Sequence, residues 1–398
     1  MSTTKKSNEI QTLSQELRRQ LAIALDGFCF EAALHSVKLR PIKVKNSNAA
    51  DSRGGIDFSK AYCDVSVGSK RVFLLGDIFQ RGLDIIVDYL EENKVPENKQ
   101  EQYVLGKLVS FINTCSYDPI STEDLESISE TDLTTLYINH LFGKLSTSSR
   151  YVISKNSDEK QKDECPCGRP NCKLTGTYGE TCLGNVEVWH GHLGIIINNE
   201  VIIETVEEES ESSDSLSPVD TKIKSSTLSR NSRLIAETVV FSFLQKQTNP
   251  ERDHFLTPCV GISNCEMIVL FYDSEHDVLL ESSRIPILDQ SEHGQSNRLN
   301  FAAIVVSWFV VNYKYLCSGL TDDMISTYKA DFLLQARDKI HVYETKLTLG
   351  NVDMSSNKPN KTHSSEEVAT SLYLYKRHNK LSKIIFNKCN YDSSDDSN

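Results

Sequence analysis

The sequence predicts an α/β protein in which a mixed β-sheet is flanked by helices, preceded by a mainly helical N-terminal region. Three observations lead there. Between Val186 and Ser282, short runs rich in Val and Ile have strand length, and one long apolar segment at 232–247 interrupts them. Before residue 145 the apolar positions recur at helical spacing instead. The chain has 398 residues, 39% hydrophobic and 25% charged, enough for a large single core or for two to three units.

Taken in order, residues 8–37 place Leu17, Leu21, Leu25 and Phe28 on one helical face. A polar, Gly-containing loop follows at 46–55, then a short strand at 71–75. A helix at 77–93 turns Ile78, Leu83, Ile86 and Leu90 inward. Further helices are expected at 99–114 and 122–145, the second opened by the Ser121-Thr-Glu-Asp start signal. Residues 155–173 form a charged loop that carries cysteines. Strands are then predicted at 186–197, 200–205, 219–224, 255–262, 266–273 and 277–282, with helices at 232–247 and 298–317. Residues 354–365 are a polar linker, 366–385 a basic helix, and the Ser/Asp-rich end is expected to be disordered. The expected units are therefore 1–118, mainly helical; 119–349, the α/β domain with its cysteine cluster; and 350–398, linker, basic helix and tail.

Charge and composition exclude some classes. A net charge of -12 is unlike that of a generic nucleic-acid coat, although a local basic groove remains compatible with it. Residues 1–20 are polar and hold no apolar signal core. The most apolar segment, Phe301 to Val311, has about half the length a bilayer requires, so no membrane association is expected. Eleven cysteines without a secretory signal do not suggest a disulfide framework. Reduced thiols, a metal site and a cytoplasmic or nuclear location are expected. No Ser-His-Asp arrangement, phosphate-binding Gly-rich loop or dinucleotide fingerprint is present.

One stretch carries chemistry. The run Glu187-Val-Trp-His-Gly191-His-Leu-Gly194-Ile-Ile-Ile-Asn198 is followed by an acidic loop and by Pro218-Val-Asp220-Thr-Lys222-Ile-Lys224. The apolar helix from Arg233 to Gln245 comes next. In a strand, residues two apart share a face, so Asp220 and Lys222 would point the same way. A carboxylate there can hold a hard divalent cation, and a lysine beside it can position water and offset developing charge.

This order resembles the core of the restriction-endonuclease-like superfamily, the PD-(D/E)XK nucleases, in their RecB-type form. Those proteins carry a Gly-x-x-Asp strand, a strand with Asp or Glu-x-Lys, and a following helix. The resemblance covers residues 186–282 and implies a metal-ligand role for Asp220 and a catalytic role for Asp220 and Lys222. It also implies magnesium or manganese if the protein is catalytically active. Gly194 stands where the family places its first metal-binding aspartate, which deletes one oxygen ligand. If the register shifts by two, Lys224 becomes the family lysine and Lys222 takes the carboxylate position. Replacement ligands are available in His190, His192, Glu187, Glu204, Glu207 and Glu237, and Glu123, Glu126 or Glu130 could join from the preceding helix. Two other stretches match the short motif, Asp158-Glu-Lys160 and Tyr343-Glu344-Thr-Lys346, the latter strand-like but followed by a polar linker.

Cys165, Cys167, Cys172 and Cys182 follow the pattern C-x-C-x4-C-x9-C, with proline and glycine favouring tight turns between them. Four thiolates at tetrahedral distance would make a closed, structural zinc site. Unligated thiols and an iron–sulfur cluster are the alternatives, and His190 or His192 could substitute for one sulfur.

The leading expectation is a degenerate nuclease-like protein, a pseudoenzyme serving as a binding or regulatory module for nucleic acid or a protein partner. An active metal-dependent DNA or RNA nuclease with a relocated carboxylate is the first alternative. An unrelated zinc-stapled interaction protein is the second.

Overall fold

The computed structural model describes residues 10–33, 35–68, 71–115, 128–156, 163–206, 228–289, 298–350 and 352, and all structural statements concern these. The strands that frame the site begin with β1 (Lys38–Ser47), β2 (Cys63–Val67), β3 (Phe73–Leu74), β4 (Tyr151–Ser154), β5 (Thr177–Gly179), β6 (Cys182–Gly184) and β7 (His190–His192). They continue with β8 (Ile195–Ile197), β9 (Val201–Thr205), β10 (Leu256–Ser263), β11 (Glu266–Asp273), β12 (Val278–Ser282) and β13 (Ile285–Pro286). The main sheet runs β2-β1-β12-β11-β10-β9-β8-β4-β5, with β3 paired to β1 and β13 to β11. The β9/β10 and β4/β5 pairs are parallel and the other pairs along this path antiparallel, so the sheet is mixed as expected.

Both faces of this sheet are covered, which is why its strands read as almost continuous apolar runs. Alternate residues divide between two cores. Ile195, Ile197, Val201, Ile203, Val260 and Val269 face the first core. There they meet α1 (Gln15–Cys29), α2 (Gln80–Glu92), α3 (Lys99–Cys115), α4 (Glu130–Tyr137) and α6 (Phe301–Val311). Ile196, Ile202, Cys259, Ile268 and Leu270 face the second, built on α5 (Ser232–Thr248) and α7 (Ile340–Thr345). Helix α5 is the crossover joining parallel neighbours β9 and β10, and its residues from Leu234 to Gln245 are all buried. No helix among the described residues is long and apolar enough to cross a membrane.

Several expectations change. Residues 1–118 supply helices and also strands β1, β2 and β3 of the main sheet, with β1 paired to β12. The hydrophobic alternation of β1 is masked by its lysines, by Arg40 and by Pro41, a residue poorly suited to an internal strand. The expected strand 186–197 is two strands in different sheets: β7 joins β6 and Thr348–Leu349, whereas β8 lies in the main sheet. Tyr343-Glu344-Thr-Lys346 is not a strand; α7 ends at Thr345. The helix expected at 122–145 is described from Glu130, capped by Ser129. The boundary at 118/119, the strand 219–224, the motif at 158–160 and, apart from Gly350 and Val352, the segment 350–398 lie outside the described residues.

The second core is closed by an aromatic group in which Phe332 packs on Trp189, Tyr343, Phe243 and Tyr272. Within it the Tyr343 hydroxyl donates to Ala49 O at 2.9 Å and accepts from the Trp189 N–H at 3.3 Å. Tyr343→Phe keeps the ring but strips both buried backbone groups of this partner. The expected loss is about 1–3 kcal/mol in urea unfolding, with the slope unchanged. A variant as stable as wild type would show that these bonds contribute nothing net.

Candidate functional site

Strand β9 carries Glu204, its last residue but one, on the face that packs against α5. Its carboxylate is 4% exposed, so charge there requires compensation. Two groups supply it. The Gly194 N–H donates to Oε2 at 2.6 Å, and Arg233 Nη2 donates to Oε1 at 2.6 Å. Arg233 sits in the first turn of α5, a helix whose Asn231 cap accepts from the Leu234 N–H. One turn later Glu237, with no exposed surface, accepts from Arg233 Nε at 2.8 Å. The i,i+4 spacing puts these two side chains on one face. Arg233 is thus a guanidinium bridging two carboxylates, and Nη2 also approaches His192 O at 3.4 Å.

The electrostatics follow from one cation facing two buried anions. Burial raises the Glu237 carboxyl well above its ordinary range, and the neighbouring Glu204 raises it further. Burial also raises Glu204, against the opposing pull of Arg233 and the Gly194 N–H. Asp57 stands near the same cation. Its burial acts upward, but hydrogen bonds from Ser59 and the charges of His190 and Arg233 leave it net lowered. Glu237 Oε2 is buried without a hydrogen-bond partner among the described residues.

Gly194 leaves room for the Glu204 carboxylate. A Cβ at this position would lie 2.9 Å from Glu204 Oε2, so glycine is what lets the backbone N–H reach the carboxylate. Gly191, at φ +148°, brings the chain against Phe58 and the Asp57 carboxylate in a conformation that side chains rarely adopt.

Asp220 and Lys222, the expected catalytic pair, lie outside the described residues, as do Lys224, Glu207, Glu123 and Glu126. Glu204 and Glu237, two of the replacement candidates, are the carboxylates that the fold brings together. Glu187 is turned away, between Lys339 and Lys346 at 3.6 Å from each. His190 and His192 do not share a sheet with the residues after Gly194; they belong to β7.

A second constellation gathers sulfur and nitrogen. His140, Cys165, Cys167 and Cys172 offer ligand atoms that all lie within 4.8 Å of one another. His140 comes from the π-helical turn Ile138–Phe142 that continues α4. The sequence does not single it out, because it lies on a helix 25 residues before Cys165 and outside any cysteine spacing. The cysteine loop closes through the Cys165 N–H to Cys172 O and the Cys172 N–H to Arg169 O, both 3.1 Å. Asn139 orders its far side, donating to Lys173 O and accepting from the Tyr151 hydroxyl and the Thr175 N–H. Cys182 is not in this group; it stands with Glu180 and His192.

The distances suit a shared ion. Two ligands of one tetrahedral zinc, one nitrogen and one sulfur, lie about 3.6 Å apart. His140 Nε2 is 3.2 Å from Cys165 Sγ and 3.6 Å from Cys172 Sγ. Burial pushes the Cys165 thiol up to about 12, so without a cation it stays protonated. The cluster could therefore hold a metal such as zinc, through three thiolates and one imidazole.

No protein-family model matches the chain, and neither a curated protein nor a solved structure matches it.

A carboxyl raised by folding binds its proton more tightly in the folded than in the unfolded chain. Its contribution to stability is therefore full below the ordinary glutamate value and fades as pH rises through the folded one. Glu237→Gln removes that titration and keeps an oxygen for Arg233 Nε. The variant should gain stability relative to wild type as pH rises from about 5 to 8. Arg233→Met should lose about 3 kcal/mol at neutral pH, because two buried carboxylates then lack their cation, and less near pH 5. Denaturant unfolding at the two pH values measures both, and parallel profiles for all three proteins would contradict the coupling.

Proposed function

We propose that this chain is a restriction-endonuclease-like protein whose nuclease site has become an internal ion-pair network. Its core then serves as a binding or regulatory module rather than a hydrolase. The observation that carries this reading is the Arg233 guanidinium bonded to both Glu204 and Glu237, at the end of the strand that leads into the crossover helix.

Three features support it. If the second motif is moved from Asp220-x-Lys222, which lies outside the described residues, to Glu204 on β9, the order β8, β9, α5, β10 parallels the family's two motif strands and following helix, with Gly194 just before β8. Ligands of open α/β sheets gather at the carboxyl ends of strands, and Glu204 stands near such an end. In the motif Asp or Glu-x-Lys, the residue two beyond the carboxylate is the lysine. Here it is Val206, 5% exposed and packed in the second core. A hard cation does not fit this arrangement, because three of the four carboxylate oxygens already accept from Arg233 or the Gly194 N–H, which leaves only the buried Glu237 Oε2 beside the Arg233 cation. Magnesium and manganese are therefore assigned no part in it.

The cofactor we assign is zinc, as a structural ion on His140, Cys165, Cys167 and Cys172. Bound there it would supply a cross-link between the end of α4 and the cysteine loop.

Two experiments test these readings. Single- and double-stranded DNA and RNA incubated with magnesium or manganese should remain intact with wild type and with Gly194→Asp. Hydrolysis abolished by Glu204→Gln would overturn the reading. Hydrolysis that survives Glu204→Gln but is lost in Lys222→Ala would locate an active site around Asp220 instead. For the zinc, elemental analysis should show Cys167→Ser and His140→Ala each one equivalent below wild type. Free zinc at a thousand times its Kd stabilises the folded chain by about 4 kcal/mol, so both variants should melt lower. Zinc content equal to wild type would remove the ion from this cluster.

A further inference from the structure

Strands β6 and β7, with the residue just before β6, bring together a second group of metal-type ligands that the nuclease reading does not use, namely Glu180, Cys182 and His192. We propose that these three side chains form a separate, open site for a divalent ion of the zinc class, with water completing its coordination.

The backbone brings the ligands together without help from the rest of the fold. Cys182 is paired directly with His192 across the two strands. The Leu193 N–H donates to Thr181 O on the adjacent rung, so Cys182 and His192 are a non-hydrogen-bonded pair, whose side chains stand closest. Glu180 lies two residues before Cys182, just outside β6, and its ligand oxygen is within 4.8 Å of the donor atoms of Cys182 and His192.

The carboxylate is held in position from behind. Lys155 Nζ lies 2.5 Å from Glu180 Oε2. Oε1 accepts the Cys182 N–H at 3.2 Å and lies 3.3 Å from His192 Nδ1. That last contact is unusual, because His192 Nδ1 is a buried atom with no hydrogen-bond partner among the described residues. Ring nitrogen and carboxylate oxygen are close but not aligned as donor and acceptor. Two oxygen or nitrogen ligands of one tetrahedral zinc lie about 3.3 Å apart. The spacing therefore suits two lone pairs that converge on a common cation, with the Cys182 sulfur as the third donor.

Ligand chemistry selects the ion. A thiolate, an imidazole and a carboxylate together favour zinc over magnesium or calcium, which prefer all-oxygen sites. All three residues are partly exposed, in contrast to the buried Cys165 of the other cluster. Three protein ligands and access to solvent are the arrangement of an exchangeable site that keeps a position open. The Lys155 bond to Glu180 Oε2 is then the outer interaction that orients a ligating carboxylate. This site shares no ligand with the His140 cluster, and it stands whether or not the nuclease reading holds.

Metal counting tests it. The full chain, equilibrated with micromolar zinc and passed through a desalting column, should carry two zinc ions, and Cys182→Ser and His192→Gln should each carry one. Cobalt substitution gives a second readout. Cys182→Ser should lose one thiolate's share of the charge-transfer absorbance, and Cys167→Ser should lose the share of the other cluster. A mild chelator should strip the open site first. All three side chains are partly exposed, so the variants should keep the wild-type far-ultraviolet dichroism. Equal zinc content in wild type, Cys182→Ser and His192→Gln, or a cobalt spectrum unchanged by Cys182→Ser, overturns the proposal.

Discussion

The constraint on which this architecture depends is the burial of Glu204 at the end of β9. A carboxylate taken out of water must meet donors or a cation. That need fixes three distant parts of the chain: a glycine at 194 whose N–H can approach, an arginine in the first turn of α5, and a helix start that aims it. Glu237 then couples to the same guanidinium and leaves the group with more negative than positive charge. The network locks the crossover helix to the strand it leaves. Its cost is a carboxyl pair that holds its proton to unusually high pH.

Around this centre the irregular segments are tied down by polar groups of another kind. The cysteine loop rests on His140 and Asn139 of one π-helical turn, and that turn matters because it alters the direction in which successive side chains leave the helix. The β6–β7 hairpin carries its own trio and is stitched to the end of α7 through Asn185, whose side chain donates to Lys346 O. Both clusters occupy short strands and loops, although the β6–β7 hairpin also packs Leu183, Val188 and Trp189 into the second core. A metal ion is one of the few devices that stabilises such segments locally.

How much of this is legible in the sequence varies with the kind of signal. Strands β9 to β12 and helix α5 are legible because a buried sheet and a buried crossover helix leave long apolar runs with clear length differences. Strand β1 is not, since its outward lysines and Pro41 break the run. Of the site, Cys165, Cys167 and Cys172 are legible from their spacing, whereas His140 is not, because a ligand on a helix obeys no loop spacing. Cys182 follows the sequence pattern but is carried onto β6, where it stands near Glu180 and His192 rather than with the other cysteines. Glu204 and Glu237 are visible only as candidates among many glutamates, and Glu237 reads in the sequence as a helix-surface residue. Its complete burial depends on α5 being covered on all sides, a property of the assembled layers rather than of the helix.

On the proposed nuclease-like reading, the residues of this centre also explain why a single change would not make it hydrolytic. An aspartate at 194 would bring its Cβ to 2.9 Å from Glu204 Oε2, so the Glu204 carboxylate would have to shift to admit it. Arg233 would still bond both Glu204 and Glu237, and Val206, two residues beyond Glu204, would still be packed in the second core. A hydrolytic site needs these positions altered together, since each alone leaves either an unpaired charge or a cation where the metal would sit. The glycine, the arginine and the valine are one device. Under the proposed reading, their mutual dependence separates an ion-pair network built into the core from an active site that merely lacks a residue.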